Sequence, residues 1–296
     1  MLDKHAHWIS VALAVLCVTL CFVLVVPMLD ARGPDVEQDV VFESFEHAPD
    51  LSSTLDEAAD KVSSVIKPDV RVPEASAVTI VVDDLGYDLA VVKRLVALPF
   101  PVAISVLPFS PYARQAAEIA HDAGRVVMLH MPMAPERDHY RQSMVDGFLH
   151  EDMDEEQVRG LLEKALERVP HVAGINNHMG SALTSSHEHM RWVMSFCQER
   201  GLFFIDSRTK ANSVAAEEAR NAGIKWAERS VFLDHEPELP AMRSAWEHAM
   251  AKAVGRGAIV IGHPHANTLT FLEGMIPENE QQRITMVNDL LHAPAI

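Results

Sequence analysis

The sequence is poor in cysteine, in aromatic side chains and in positive charge, and each shortage removes a class of protein. Three cysteines in 296 residues cannot staple a disulfide scaffold. Two of them, Cys17 and Cys21, share one apolar stretch, which leaves Cys197 with no intradomain partner. Lys and Arg total 25 against 42 Asp and Glu, a net charge of −17. No basic excess is available to displace counterions from a phosphate backbone, so no nucleic-acid partner is expected. At 48% hydrophobic residues the chain is globular rather than disordered, and only one stretch is long enough to span a bilayer, which excludes a polytopic membrane protein. A G-x-G-x-x-G fingerprint, a Walker A loop and a G-x-S-x-G elbow are all missing, which removes the commonest dinucleotide, nucleotide and serine-hydrolase readings.

The one long apolar run, Trp8 to Met28, carries no charge and is rich in Leu, Val and Ala. Its length suits a membrane-crossing helix. A cleaved secretory signal is the alternative, but Val26-Pro27-Met28-Leu29-Asp30 offers no small-x-small cleavage site. Residues 1–28 therefore read as an uncleaved anchor, with the N-terminus inside and the body exported. Residues 1–75 hold 13 Asp/Glu against 5 Lys/Arg, and the prolines and absent apolar period after Leu29 make residues 29–75 an acidic flexible linker.

Residues 76–296 alternate between short β-branched runs and helical periods. Strands are expected at Val78–Val82, Val102–Leu107, Val126–Leu129, Val172–Ile175, Leu202–Ile205, Ser230–Leu233 and Ala258–Ile261. Helices are expected between them, capped by Ser110, Asp154 and Ser186 and closed by glycines such as Gly124 and Gly201. Alternation of this kind implies parallel pairing with right-handed crossovers. About seven strands build either an open doubly wound sheet or a distorted (β/α) barrel.

In parallel α/β folds the working face lies at the carboxyl ends of the strands. The residues at or just past those ends are Asp83 and Asp84, Ser105 to Pro108, His130, His178, Asp206, Asp234 and His263. Two adjacent carboxylates after an apolar strand repel unless a cation or partner compensates them. One carboxylate with two imidazoles is the ligand set of a catalytic divalent site that leaves positions for water. A neighbouring carboxylate then serves as base, and a further imidazole as acid. Asp206 and Arg208 are supporting candidates, His187 and His189 are expected to face solvent, and Met190, Val193, Met194 and Cys197 form a helix-core stripe.

Five ordered motifs carry a resemblance. They are Val81-Val82-Asp83-Asp84-Leu85-Gly86, Leu129-His130-Met131-Pro132-Met133, Gly174-Ile175-Asn176-Asn177-His178-Met179-Gly180-Ser181, Phe204-Ile205-Asp206-Ser207-Arg208-Thr209 and Ile261-Gly262-His263-Pro264-His265. Together they resemble the divergent polysaccharide deacetylase family, which is distantly similar to the NodB-type carbohydrate deacetylases. The resemblance implies a NodB-like distorted barrel in a bacterial envelope protein anchored in the inner membrane, with its C-terminal domain periplasmic. It implies Asp83 as base, Asp84 as metal ligand and His263 as the acid that protonates the leaving amine. The broader family's two histidines four residues apart do not occur, since Ala134 stands where the second would fall. His130 and His178 complete the metal set by rim geometry instead. The expected function is a metal-dependent hydrolase, holding Zn²⁺ or a similar ion, that removes an N-acetyl group from an envelope carbohydrate. The alternative is a catalytically degenerate envelope protein whose rim binds a glycan or a protein partner.

Overall fold

The computed structural model describes residues 76–137 and 147–293. The expected anchor and linker, residues 1–75, lie outside them; among the described residues no helix is long and apolar enough to cross a membrane. Eight strands form one sheet: β1 (Val78–Leu85), β2 (Ala103–Val106), β3 (Val127–Met133), β4 (Val172–Met179), β5 (Phe203–Asp206), β6 (Trp226–Glu228), β7 (Val231–Phe232) and β8 (Ala258–Gly262). Every pairing is parallel, in the order β6-β5-β4-β3-β2-β1-β8-β7. The helices are α1 (Leu89–Val96), α2 (Ala113–Asp122), α3 (Glu155–Arg168), α4 (His187–Arg200), α5 (Ala215–Asn221), α6 (Leu239–Lys252), α7 (Ala266–Gly274) and α8 (Glu278–Gln281).

The order hides a simpler object. β6 and β7 are successive pieces of one extended run separated only by Arg229 and Ser230. The Arg229 amide donates to Asp206 O on β5, while the Ser230 amide donates to Ile259 O on β8. One strand thus changes partner in mid-course and joins the two edges of the sheet. The sheet is therefore curled into a barrel of seven strand positions, the sixth of them split, as staggered strands in a barrel require. The expected count and architecture hold. β6 is the piece the sequence pattern missed, because three residues are too few to show a period.

Strands in such a fold are buried on both faces and read as apolar runs. The outer faces of β1, β2, β3 and β8 bury Ile80, Val82, Ile104, Leu129 and Val260 beneath helical residues such as Val158, Leu162, Met190, Phe196 and Trp246. The inner faces hold a smaller cluster of Val81, Ala103, Met128, Phe203, Ile205, Ala227, Ile259 and Ile261. Gly174 belongs to this interior by register, and a Cβ there would stand 2.2 Å from the Phe203 ring. Met190, Val193, Met194 and Cys197 are fully buried, as the helix stripe requires.

Helix caps follow their chemistry. Asp154 and Gln157 form a reciprocal capping box at α3, Ser186 caps α4, and Gly201 closes α4 with φ +66°. Ser110 does not cap α2. Its hydroxyl instead donates to Leu107 O, and the helix begins three residues later. β3 and β4 continue past their apolar runs, pairing up to Met133 with Met179. His130, Asn176 and His178 therefore lie within strands rather than just beyond them.

Candidate active site

Side chains two residues apart on a strand share a face. Stepping two residues along from the inner apolar cluster leads to polar groups: Val81 to Asp83, Ala103 to Ser105, Met128 to His130, Gly174 to Asn176 and Ile261 to His263. The inside of the barrel is thus apolar at one end and polar at the carboxyl end, as expected.

Asp84 breaks the alternation. The β1–β2 register shifts between Val82 and Leu85, and Asp84 holds φ +57°, a left-handed conformation uncommon for any residue with a Cβ. This bulge gives two successive carboxylates access to one space: Asp84 Oδ1 lies 3.0 Å from His130 Nε2, and Asp83 Oδ1 lies 3.7 Å from His130 Nδ1.

Asp84, His130 and His178 come together as the rim argument requires. Asp84 Oδ1 is 2.9 Å from His178 Nδ1, and the two ring nitrogens, His130 Nε2 and His178 Nδ1, are 3.2 Å apart. Both Asp84 oxygens are buried, and neither accepts an aligned hydrogen bond among the described residues. Three donor atoms at these separations match neighbouring ligands on a small divalent ion, which at bond lengths of about 2.0–2.2 Å and octahedral to tetrahedral angles stand roughly 2.8–3.6 Å apart. The residues present therefore fit a divalent cation. Burial opposes ionisation of Asp84, but the proximity of His178 and then His130 holds its carboxyl well below the usual range.

Asn176 fixes the rest. Its carbonyl oxygen accepts from the Ser105 hydroxyl at 2.7 Å and lies 3.0 Å from His130 Nδ1. Its amide donates to Asp83 Oδ1 at 2.8 Å and to the Ser207 hydroxyl at 3.3 Å. Because that amide must donate to a carboxylate, its oxygen faces His130, and the neutral ring places its proton on Nδ1. Nε2 is then the lone-pair side, turned toward Asp84 and His178. Burial lowers the His130 ring's basicity, but Asp83 and then Asp84 outweigh it and raise its pKa.

His263 is held differently. Asp234 takes the His263 ring at Nδ1 (3.0 Å), the His263 backbone amide (2.6 Å) and the Thr268 hydroxyl (2.7 Å). Burial disfavours the charged imidazolium, but Asp234 prevails and brings the His263 pKa up to about 9. Asp83 and Asp84 also raise it, which places the ring within electrostatic reach of the first cluster. Asp234, His263 and His265 form a second group of one acid and two imidazoles within 4.8 Å.

Some expectations change. Asp206 and Arg208 do not join the cluster: Asp206 accepts the Arg208 backbone amide, and the guanidinium pairs with Glu228 at 2.6 Å. Burial raises the Asp206 carboxyl. His189 is buried and bonded to Ser186 rather than solvent-facing, because the Ser186 cap draws the ring inward, whereas His187 is exposed and pairs with Glu218. Ser105 belonged to the strand-end group without a role, and Asn176 and Ser207 were not singled out from sequence as site residues. The further signal for Ser105 and Asn176 is their position two residues beyond an inner apolar residue.

Residues 80–289 match the family model of the divergent polysaccharide deacetylases. The uncharacterised protein YibQ of Escherichia coli is 36% identical over 225 residues, covering 75% of this chain and 69% of that protein. An uncharacterised protein of Haemophilus influenzae is 37% identical over 210 residues, covering 70% and 74%. The crystal structure of an uncharacterised protein from Agrobacterium tumefaciens aligns with a TM-score of 0.66 at 18% identity, covering 73% of this chain and 88% of that one, a likeness of fold alone. The match across most of the barrel, with the five motifs inside it, means that the chain belongs to the divergent polysaccharide deacetylase family.

Proposed function

We propose that the protein is a metal-dependent hydrolase that removes an N-acetyl group from an envelope carbohydrate, outside the cytoplasmic membrane. Asp84 Oδ1, His130 Nε2 and His178 Nδ1 would hold the divalent cation, and a mixed carboxylate and imidazole set favours Zn²⁺. When bound, such a cation supplies Lewis-acid polarisation of the amide carbonyl and a lowered pKa for water.

The chain's own residues supply the proton transfers. Asp83, whose Oδ1 is held by the Asn176 amide, accepts the proton of the attacking water. His263 is charged at neutral pH because Asp234 sustains it, and with Nδ1–H engaged by Asp234 the proton it delivers to the departing amine is the one on Nε2. The carbohydrate assignment draws on the family's description, and the location draws on the apolar run of residues 8–28.

The observation that carries this reading is the triangle of three donor atoms, one of them from a buried carboxylate that accepts no aligned hydrogen bond among the described residues. The test is acetate release from N-acetylglucosamine oligomers and from peptidoglycan by the metal-loaded protein. Asp83→Asn should abolish release while leaving bound metal unchanged. Equal activity in that variant overturns the assignment of Asp83. A protein that retains no metal and still binds glycan supports the non-catalytic alternative instead.

A further inference from the structure

The seam where the split strand changes partner opens into a cleft of about 430 Å3. Its walls bring four cations together from three parts of the chain. Arg208 follows β5, Arg229 sits between β6 and β7, and Lys252 and Arg256 belong to the end of α6 and the turn after it. Cations near a helix C-terminus are ordinarily partners of its dipole, which accounts for Lys252 and Arg256 singly. It does not account for their convergence with two arginines from elsewhere, in a chain whose net charge is −17.

Glu228 on the cleft wall pairs with Arg208. The half-buried Arg229 donates to Ser207 O and Arg208 O and lies 3.6 Å from the Phe232 ring centre; burial lowers its pKa, and the carboxylates of Asp206 and Asp83 oppose that in part. Lys252 and Arg256 have no carboxylate partner among the described residues; Lys252 Nζ reaches Ser230 O at 3.2 Å, and Arg256 Nε reaches Lys252 O at 3.3 Å. Burial lowers the Lys252 pKa, and Arg256, Arg229 and Arg208 lower it further. Such an arrangement is repulsive by itself and is relieved by an anion.

We propose that the seam cleft binds a phosphate dianion, as inorganic phosphate or as a phosphomonoester head group, with Lys252, Arg256 and Arg229 as its donors. Two uncompensated cations beside a third call for a ligand with about two negative charges, which a phosphomonoester carries and a carboxylate does not. Guanidinium forks also suit phosphate oxygens bidentately. The site is distinct from the donor triangle and does not rest on the deacetylase reading.

The test is calorimetric titration of the full chain with inorganic phosphate, repeated in Asp84→Asn so that phosphate attracted by a metal at the triangle is removed from the reading. Saturable one-to-one binding is expected in both. The exposed-side pair Lys252→Gln/Arg256→Gln should weaken it about tenfold or more, while Glu228→Gln, which removes the acid lining the cleft, should strengthen it several-fold. Opposite signs from two surface changes cannot come from unfolding. Absence of saturable binding, or binding that ignores both changes, or binding lost with Asp84, overturns the proposal. Soluble short-chain phosphatidic acid separates the sources: displacement of phosphate assigns a lipid head group, and its failure to displace assigns the free ion.

Discussion

Two clusters in this barrel have the same composition, one carboxylate and two imidazoles, and they are built for different work. In the Asp234 cluster both carboxylate oxygens are occupied, by the His263 ring, its backbone amide and the Thr268 hydroxyl. In the Asp84 cluster three donors crowd together, and the carboxylate accepts no aligned hydrogen bond among the described residues. Carboxylate oxygens occupied in this way hold a ring in place, whereas oxygens without an aligned hydrogen bond fit a cation. Residue type does not separate the two, and hydrogen-bond accounting does.

The largest effect should come from breaking the unsatisfied cluster. Elemental analysis of the purified full chain should find about one divalent ion, and Asp84→Asn, which tolerates the left-handed backbone, should lower metal affinity about 100-fold or more. His265→Ala should leave the stoichiometry intact. Loss of metal in His265→Ala with retention in Asp84→Asn would reverse the comparison.

Removing the support of the satisfied cluster should be felt in rate rather than in metal content. With Asp234→Asn the His263 pKa should fall from about 9 toward its ordinary value, shifting the alkaline limb of the pH–rate profile to lower pH. Turnover above neutrality should fall about 10- to 100-fold with little change in KM.

The same pair governs stability in alkali. A histidine whose folded pKa is raised contributes stability fully present below its unfolded pKa of about 6.5 and lost as pH rises through about 9. Urea unfolding of the metal-free protein should therefore show a loss on the order of 3 kcal/mol across that window. Asp234→Asn should flatten it. Asp84 acts in the opposite direction: its lowered carboxyl adds stability above the ordinary carboxylate pKa, which is lost as pH falls through the depressed value.

The smallest change should be Ser105→Ala, which removes one of the contacts that hold the Asn176 carbonyl. It should cost about 1 kcal/mol in unfolding free energy and shift metal affinity by only a few-fold.

Much of this was readable in the chain. Alternation of β-branched runs with capped helices limited the fold to a parallel α/β sheet, open or closed, since Asp154, Ser186 and Gly201 announce helix ends through local chemistry, and the family resemblance pointed to the barrel. The rim rule brought out Asp83, Asp84, His130, His178 and His263, because carboxylates and imidazoles stand out at strand ends. Asn176 did not stand out. A neutral amide has no chemistry of its own to advertise, and its importance arises only when four elements deliver partners to it. β6 was hidden by its brevity. His189 was misread as exposed because helix position alone does not reveal that the capping serine draws it inward.

The bulge in β1 makes the acid pair a matter of counting as well as of chemistry. One extra residue between Val82 and Leu85 lets neighbours share a side that a regular pleat would divide between them. A deletion there can only take Asp83 or Asp84, so restoring the pleat would remove one carboxyl of the pair and leave Leu85 among the outer apolar residues. No exchange of side chains on a regular pleat would give two neighbours the same side, so the length of this segment matters as much as its composition.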